Sequence, residues 1–114
     1  MQYLLIICHD ENFAPTKTLT RDIIAWNKVM ESRGILKYGN PLRPPSDAKT
    51  IRVRDGKLIV ADGPFSNTSE KMAAYVLIEC SSLDEAIDAA SQHPMAKVAT
   101  VEVRPVWEDL ASFI

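Results

Sequence analysis

Two short runs constrain this chain more than anything else in it. Gln2–Cys8 (QYLLIIC) and Ala73–Cys80 (AAYVLIEC) are apolar with almost no polar alternation. A strand wetted on one face alternates, because successive side chains point to opposite sides of the sheet. These two do not alternate, so they read as strands buried on both faces. Whatever fold the chain adopts must cover both sides of its central strands.

The stretches between them supply the remaining elements. Thr16–Arg33 reads as a helix, with Leu19, Ile23, Trp26 and Met30 on one stripe. Thr16 or Thr18 can cap its start, and Gly34 stands where a helix-ending glycine belongs. Ile35–Gly39 is a short second strand, ended by Pro41, Pro44 and Pro45. Lys49–Arg54 alternates, with Ile51 and Val53 on one face and Arg52 and Arg54 on the other. Asp55-Gly56 joins it to Lys57–Ala61, a strong two-residue hairpin signal. Asp62-Gly63-Pro64-Phe65 is a turn, and the chain is polar from there to Lys71. Ser82-Leu83-Asp84-Glu85 has capping-box spacing and opens a second helix. Ala86, Ile87 and Ala90 form its apolar face and Pro94 stops it. Val98–Arg104 is the last strand, with Val101 and Val103 opposite Thr100, Glu102 and Arg104. The tail carries Trp107, Leu110 and Phe113, which read as exposed and suited to packing on a partner.

The order β-α-β, hairpin, β-α-β is the split βαβ arrangement of a ferredoxin-like α+β domain with an inserted β-hairpin. A chain of 114 residues fits one such domain, with no linker or repeat inside it. Two helices cover only one face of a four-stranded sheet. The doubly apolar strands then call for a second cover, and a second copy of the same sheet is the economical one. A homodimer is therefore expected; the alternative is that the hairpin and tail cover the face within one chain.

Composition narrows the partners. The net charge is −2, whereas a nucleic-acid binder shows a basic excess, so no direct nucleic-acid partner is expected. No apolar run approaches the roughly 20 residues that span a bilayer, so no membrane partner is expected. Met1–Cys8 lacks the basic start and cleavage site of a signal peptide, and the expected compartment is cytoplasmic. Cys8 and Cys80 fall at opposite ends of neighbouring strands, roughly 20 Å apart, too far for a disulfide. Both read as core cysteines.

Strand order places the polar candidates. The end of the first strand lies beside the start of the third, so His9, Asp10, Asp62, His93 and the start of the first helix are expected at one end of the sheet. Asp62 is the leading candidate, as a general base or substrate anchor or else as a cap on its own turn. Gly63 is expected to supply an unusual φ. His9, beside Asp10, could shuttle protons near neutral pH or be a solvated loop residue. Arg52 and Arg54 could bind an anion, or be a solvated face. Tyr75 could present its hydroxyl to a pocket and Phe65 could line one, though core positions are the commoner fate of both. His93 reads as a residue favoured by the helix dipole without a catalytic purpose. The spacing of histidines and carboxylates supports no metal site, and no nucleotide or phosphate-loop fingerprint occurs, so no cofactor is expected.

The stretches LRPP, KTIRVRDGKLIVADGPF, AYVLIE, SLDEA and VEVRPVWE resemble, in that order, the DGPF-type branch of the YCII-related family over Leu42–Glu108. The resemblance implies ferredoxin-like subunits assembled as a dimeric α/β barrel. It also implies a function left mostly undefined in the family, with some relatives near or fused to sigma factors. Two departures stand out. Asn67-Thr68-Ser69-Glu70 replaces the Glu-Thr-Lys-Glu run that commonly follows DGPF. The first helix also lacks the histidine that relatives outside this branch are proposed to pair with an aspartate.

Two functional readings follow. One is a small cofactor-free enzyme doing acid–base chemistry on an anionic or carbonyl-bearing small molecule, with Asp62 as base or anchor and His9 as partner. The other is a ligand-binding or regulatory module with a sigma factor as partner, or a domain that only dimerises.

Overall fold

The computed structural model describes the whole chain, Met1 to Ile114. In chain order the elements are β1 (Gln2–His9), α1 (Lys17–Ser32), β2 (Leu36–Pro41), β3 (Lys49–Arg54), β4 (Lys57–Asp62), β5 (Lys71–Glu79), α2 (Leu83–Ser91), α3 (Met95–Val98) and β6 (Thr100–Pro105). Four strands form one sheet in the order β2-β5-β1-β6, each neighbouring pair antiparallel. This is the ferredoxin-like α+β order, and the β3–β4 hairpin is inserted as a separate two-stranded sheet.

Local chemistry explains where the elements begin and turn. Thr16 caps α1, its hydroxyl accepting the Leu19 N–H at 3.1 Å. Ser82 Oγ accepts the Glu85 N–H at 3.2 Å, and the Glu85 carboxylate accepts the Ser81 N–H at 3.0 Å. Asp55 and Gly56 both take positive φ, 50° and 73°, as a primed hairpin turn demands.

The core lies between one sheet face and the helices. Tyr3, Leu5 and Ile7 of β1 and Val76 and Ile78 of β5 meet Trp26 and Met30 of α1 and Ala86, Ala89 and Ala90 of α2. Within the single chain, Leu4, Ile6, Tyr75 and Leu77 on the far face are half-buried. The hairpin does not cover that face. It stands off the body as an arm whose Ile51, Val53, Leu58 and Val60 are exposed on one side. In the tail, Trp107, Leu110 and Phe113 are exposed as expected.

Other expectations are corrected. β1 continues one residue further, so His9 belongs to the sheet, paired with Lys71, rather than to a loop. The buried stripe of α2 is Ala86, Ala89 and Ala90; Ile87 lies a quarter-turn round from it and is exposed. Pro94 does not merely stop a helix but opens α3, which takes Val98 out of the last strand. Phe65 is 77% exposed rather than core, because the loop leaving the arm packs on nothing there.

Candidate functional site

The sheet's helix side is not packed shut. Beside the core, between the first half of α1 and strands β1, β5 and β2, lies a cleft of about 610 Å³. That is within the range, about 300–1,000 Å³, of small-molecule sites. Its floor exists because two strand positions carry little side chain. Gly39 of β2 and Ala74 of β5 both line it, where larger residues would fill it. A larger residue at Gly39 would push β2 away from β5, since a Cβ there would fall 2.6 Å from the Tyr75 carbonyl oxygen and 3.0 Å from the Val76 Cα. Leu19, Ile23 and Ile24 of α1, with Ile7, Leu36, Val76 and Met95, make the walls apolar. Thr20, Asn27 and Asn40 add neutral polar groups. No Asp, Glu, Lys or Arg lines the cleft.

Two imidazoles do line it, His9 and His93. His9 reaches it because a register shift near Ala73, between the pairs Ile7–Ala74 and Cys8–Met72, lets β1 run on to Lys71. Its ring stacks on Phe13, centroids 4.4 Å apart. Its Nδ1 lies 2.8 Å from the Asp10 carbonyl oxygen. A carbonyl only accepts, so Nδ1 carries the hydrogen, and in the neutral form of the ring the lone pair is on Nε2.

His93 sits in the tight turn between α2 and α3 and is 2% exposed. Its Nδ1 accepts the Met95 N–H at 3.0 Å, which fixes the opposite tautomer, with the hydrogen on Nε2. The ring meets Trp26 edge-on at 4.6 Å. Burial lowers its pKa from 6.5 to about 4, so it is neutral at physiological pH. This corrects the expectation of an imidazole whose charge is favoured by a helix dipole: desolvation outweighs that modest dipole gain. Sequence reasoning set His93 aside because the turn that buries its ring is a tertiary feature with no local signal.

The remaining candidates disperse. Asp62 ends β4 at the base of the arm, 86% exposed on its side chain, and pairs with Lys49. It does not cap its turn; the Gly63 N–H bonds instead to the Ala48 carbonyl. Gly63 does take a positive φ, 88°. His9 also lines two smaller, more polar hollows near Asn67–Lys71 and Asn12–Phe13, and Asp62 lines none of the three. Arg52 and Arg54 lie on the arm, exposed, Arg54 donating to the Val53 carbonyl. Tyr75 borders the cleft, but its hydroxyl accepts from Asn40 Nδ2 at 3.1 Å and its ring lies near Tyr38 on the sheet's far side. Both cysteines are free, with thiol pKa values raised chiefly by burial. Neither is thereby disposed to act as a thiolate.

Comparison with known proteins places the chain. A solved structure, the 5-chloro-2-hydroxyhydroquinone dehydrochlorinase of Burkholderia phenoliruptrix AC1100 in complex with 2,5-dihydroxybenzoquinone, aligns over 93% of each chain at 15% identity, with a TM-score of 0.49. An uncharacterized protein of Rhizobium meliloti (strain 1021) is 34% identical over 114 aligned positions, spanning 93% of this chain and 92% of its own length. The model of the YCII-related domain matches residues 1–109, and the chain belongs to that family.

Proposed function

We propose that this protein is a small enzyme that moves a proton on an uncharged, ring-sized molecule bound in the α1–sheet cleft, with His9 as the base. The observation that carries the reading is the His9 tautomer. Its Nδ1–H is held by the Asp10 carbonyl, which leaves Nε2 as the free ring nitrogen of a residue that borders a largely apolar cleft without charged side chains. An imidazole nitrogen that carries a lone pair can take a proton from carbon. The proton of a C–H next to a carbonyl would pass to Nε2 and its electron pair to the carbonyl oxygen. Return of the proton to carbon would complete an exchange or isomerisation. The lining favours a carbonyl-bearing ligand over an anionic one, because the cleft offers an anion no fixed cation.

The test is α-proton exchange of a cyclic ketone such as 2-tetralone in D2O, followed by proton NMR. Exchange above the buffer rate, lost in His9→Asn while that variant still binds the ketone, supports the reading. Exchange unaffected by His9→Asn overturns it.

The same reading includes a homodimer. What supports it is surface the chain leaves uncovered. The radius of gyration is 16.3 Å, against about 13 Å for a compact chain of this length. The accessible surface is 8203 Å², where a compact monomer of this mass exposes about 6,200 Å². The excess is more than the roughly 800 Å² per partner that a standard protein interface buries. It comes from the half-covered sheet face and the arm.

A further inference from the structure

His93 is the one buried residue that is not a core hydrophobe, and its local role uses only one of its two ring nitrogens. Nδ1 satisfies the Met95 N–H, one of the amides that the start of α3 leaves free. A small Ser, Asn or Asp does that work elsewhere without burying an imidazole. The only hydrogen bond the ring makes in the chain is through Nδ1, so the Nε2–H donor has no partner. The chain's one fully buried side-chain atom without a partner is Glu79 Oε2, so the His93 Nε2–H is unpartnered but keeps some access to open space. The residue lines the cleft, where the other lining is mostly apolar, with Thr20, Asn27 and Asn40 as neutral polar groups besides His9 and Tyr75. Its orientation is fixed on two sides, by Met95 and by the edge-on contact with Trp26.

We infer that the Nε2–H of His93 is the group that reads a ligand's carbonyl oxygen in this cleft, making ketones and enones the preferred chemical class. This rests on the cleft being the ligand site and names what is recognised there. The two imidazoles divide the labour by tautomer. His9 presents a lone pair and His93 presents a hydrogen, so one side of the cleft accepts a proton while another stabilises the oxygen that gathers the charge. A neutral donor keeps its hydrogen while polarising the carbonyl, as the neutral histidine of triosephosphate isomerase does. The titratable groups bordering the cleft besides His93 are His9 and Tyr75, so no fixed charge competes for the oxygen.

The experiment compares two probes of nearly equal shape, acetophenone and α-methylstyrene, which differ in C=O against C=CH2. Binding to the wild-type chain is measured by NMR titration. Acetophenone is expected to bind about three- to tenfold tighter, the value of one net hydrogen bond. His93→Phe, which keeps a ring and removes the donor, is expected to erase that preference while leaving α-methylstyrene binding within about twofold. Because the variant also loses the α3 cap, a second readout uses only the wild type. The His93 imidazole 15N resonances are expected to move with acetophenone and to stay with α-methylstyrene. Equal binding of the two probes, with shifts at Asn27 and Thr20 but none at His93 Nε2, overturns the inference and leaves the cleft standing. Absence of binding by both overturns the cleft as a ligand site and the inference with it.

Discussion

His93 accepts the Met95 backbone N–H through Nδ1 at 3.0 Å, from a ring 2% exposed. A proton on Nδ1 would break that bond and charge a desolvated ring, so the folded chain resists it. The unfolded chain protonates His93 near 6.5 and the folded chain only at about 4. Between those values the unfolded state holds more protons, so stability is intact above about pH 6.5 and falls as pH drops towards 4. The loss attributable to this residue reaches ~3 kcal/mol. Urea midpoints across that window, with His93→Gln as the reference, check it. A His93 that titrates near 6.5 by NMR would refute it.

Trp26 donates its indole N–H to the Ala89 carbonyl at 3.0 Å and ties α1 to α2. Trp26→Phe removes the donor and part of the edge contact with His93. The Ala89 carbonyl keeps a longer bond from the Gln92 N–H at 3.3 Å, so it is not orphaned. The expected loss is therefore about 1–2 kcal/mol by chemical denaturation, from one hydrogen bond and a smaller ring. A neutral result would mean that α1 and α2 are joined by apolar packing alone.

The ferredoxin-like order was legible because its signals are local and periodic. The Leu19–Met30 stripe, the Asp55-Gly56 turn and the Ser82–Glu85 cap each act within a few residues. The candidate site was legible only in part. His9 was placed at the correct end of the sheet, since strand order alone decides that. The roles of His93, Gly39 and Ala74 were not visible, because a cleft is made by what the neighbouring strand and helix leave unfilled. Whether Asp62 faces a pocket is likewise not written in its turn, since a carboxylate there looks the same in sequence when it pairs, as in this chain, with a lysine across an exposed hairpin.

Gly39→Ala tests how the cleft floor is made. The added methyl would meet backbone atoms of Tyr75 and Val76, and backbone cannot step aside as a side-chain tip does. β2 is an edge strand, so it can shift away from β5. The expected cost is about 1–3 kcal/mol. The cleft should also lose affinity for neutral ring probes, because Gly39 lines it. Unchanged stability together with unchanged acetophenone binding would show that the strands are not in contact as described.

The arm and the sheet face are separable in the dimer. Val60 stands opposite Ile51 at the centre of the arm's apolar side, and the arm packs little on its own body. A lone hairpin is marginal in water, so an arm of this composition is expected to be held by a second chain. Val60→Lys should therefore weaken the dimer while leaving the body's circular dichroism and thermal unfolding nearly unchanged. Leu77 lies on the half-buried far face of the sheet, paired with Leu4. Leu77→Lys should weaken the dimer as well if the two sheets meet face to face. Light scattering reads each case as a fall from twice the chain mass to the chain mass at micromolar concentration. A loss with Leu77→Lys alone would mean that the sheets form the interface and the arms are free for another partner. A wild-type chain that is monomeric at that concentration would remove the dimer altogether, and the exposed apolar surface would then need a different cover.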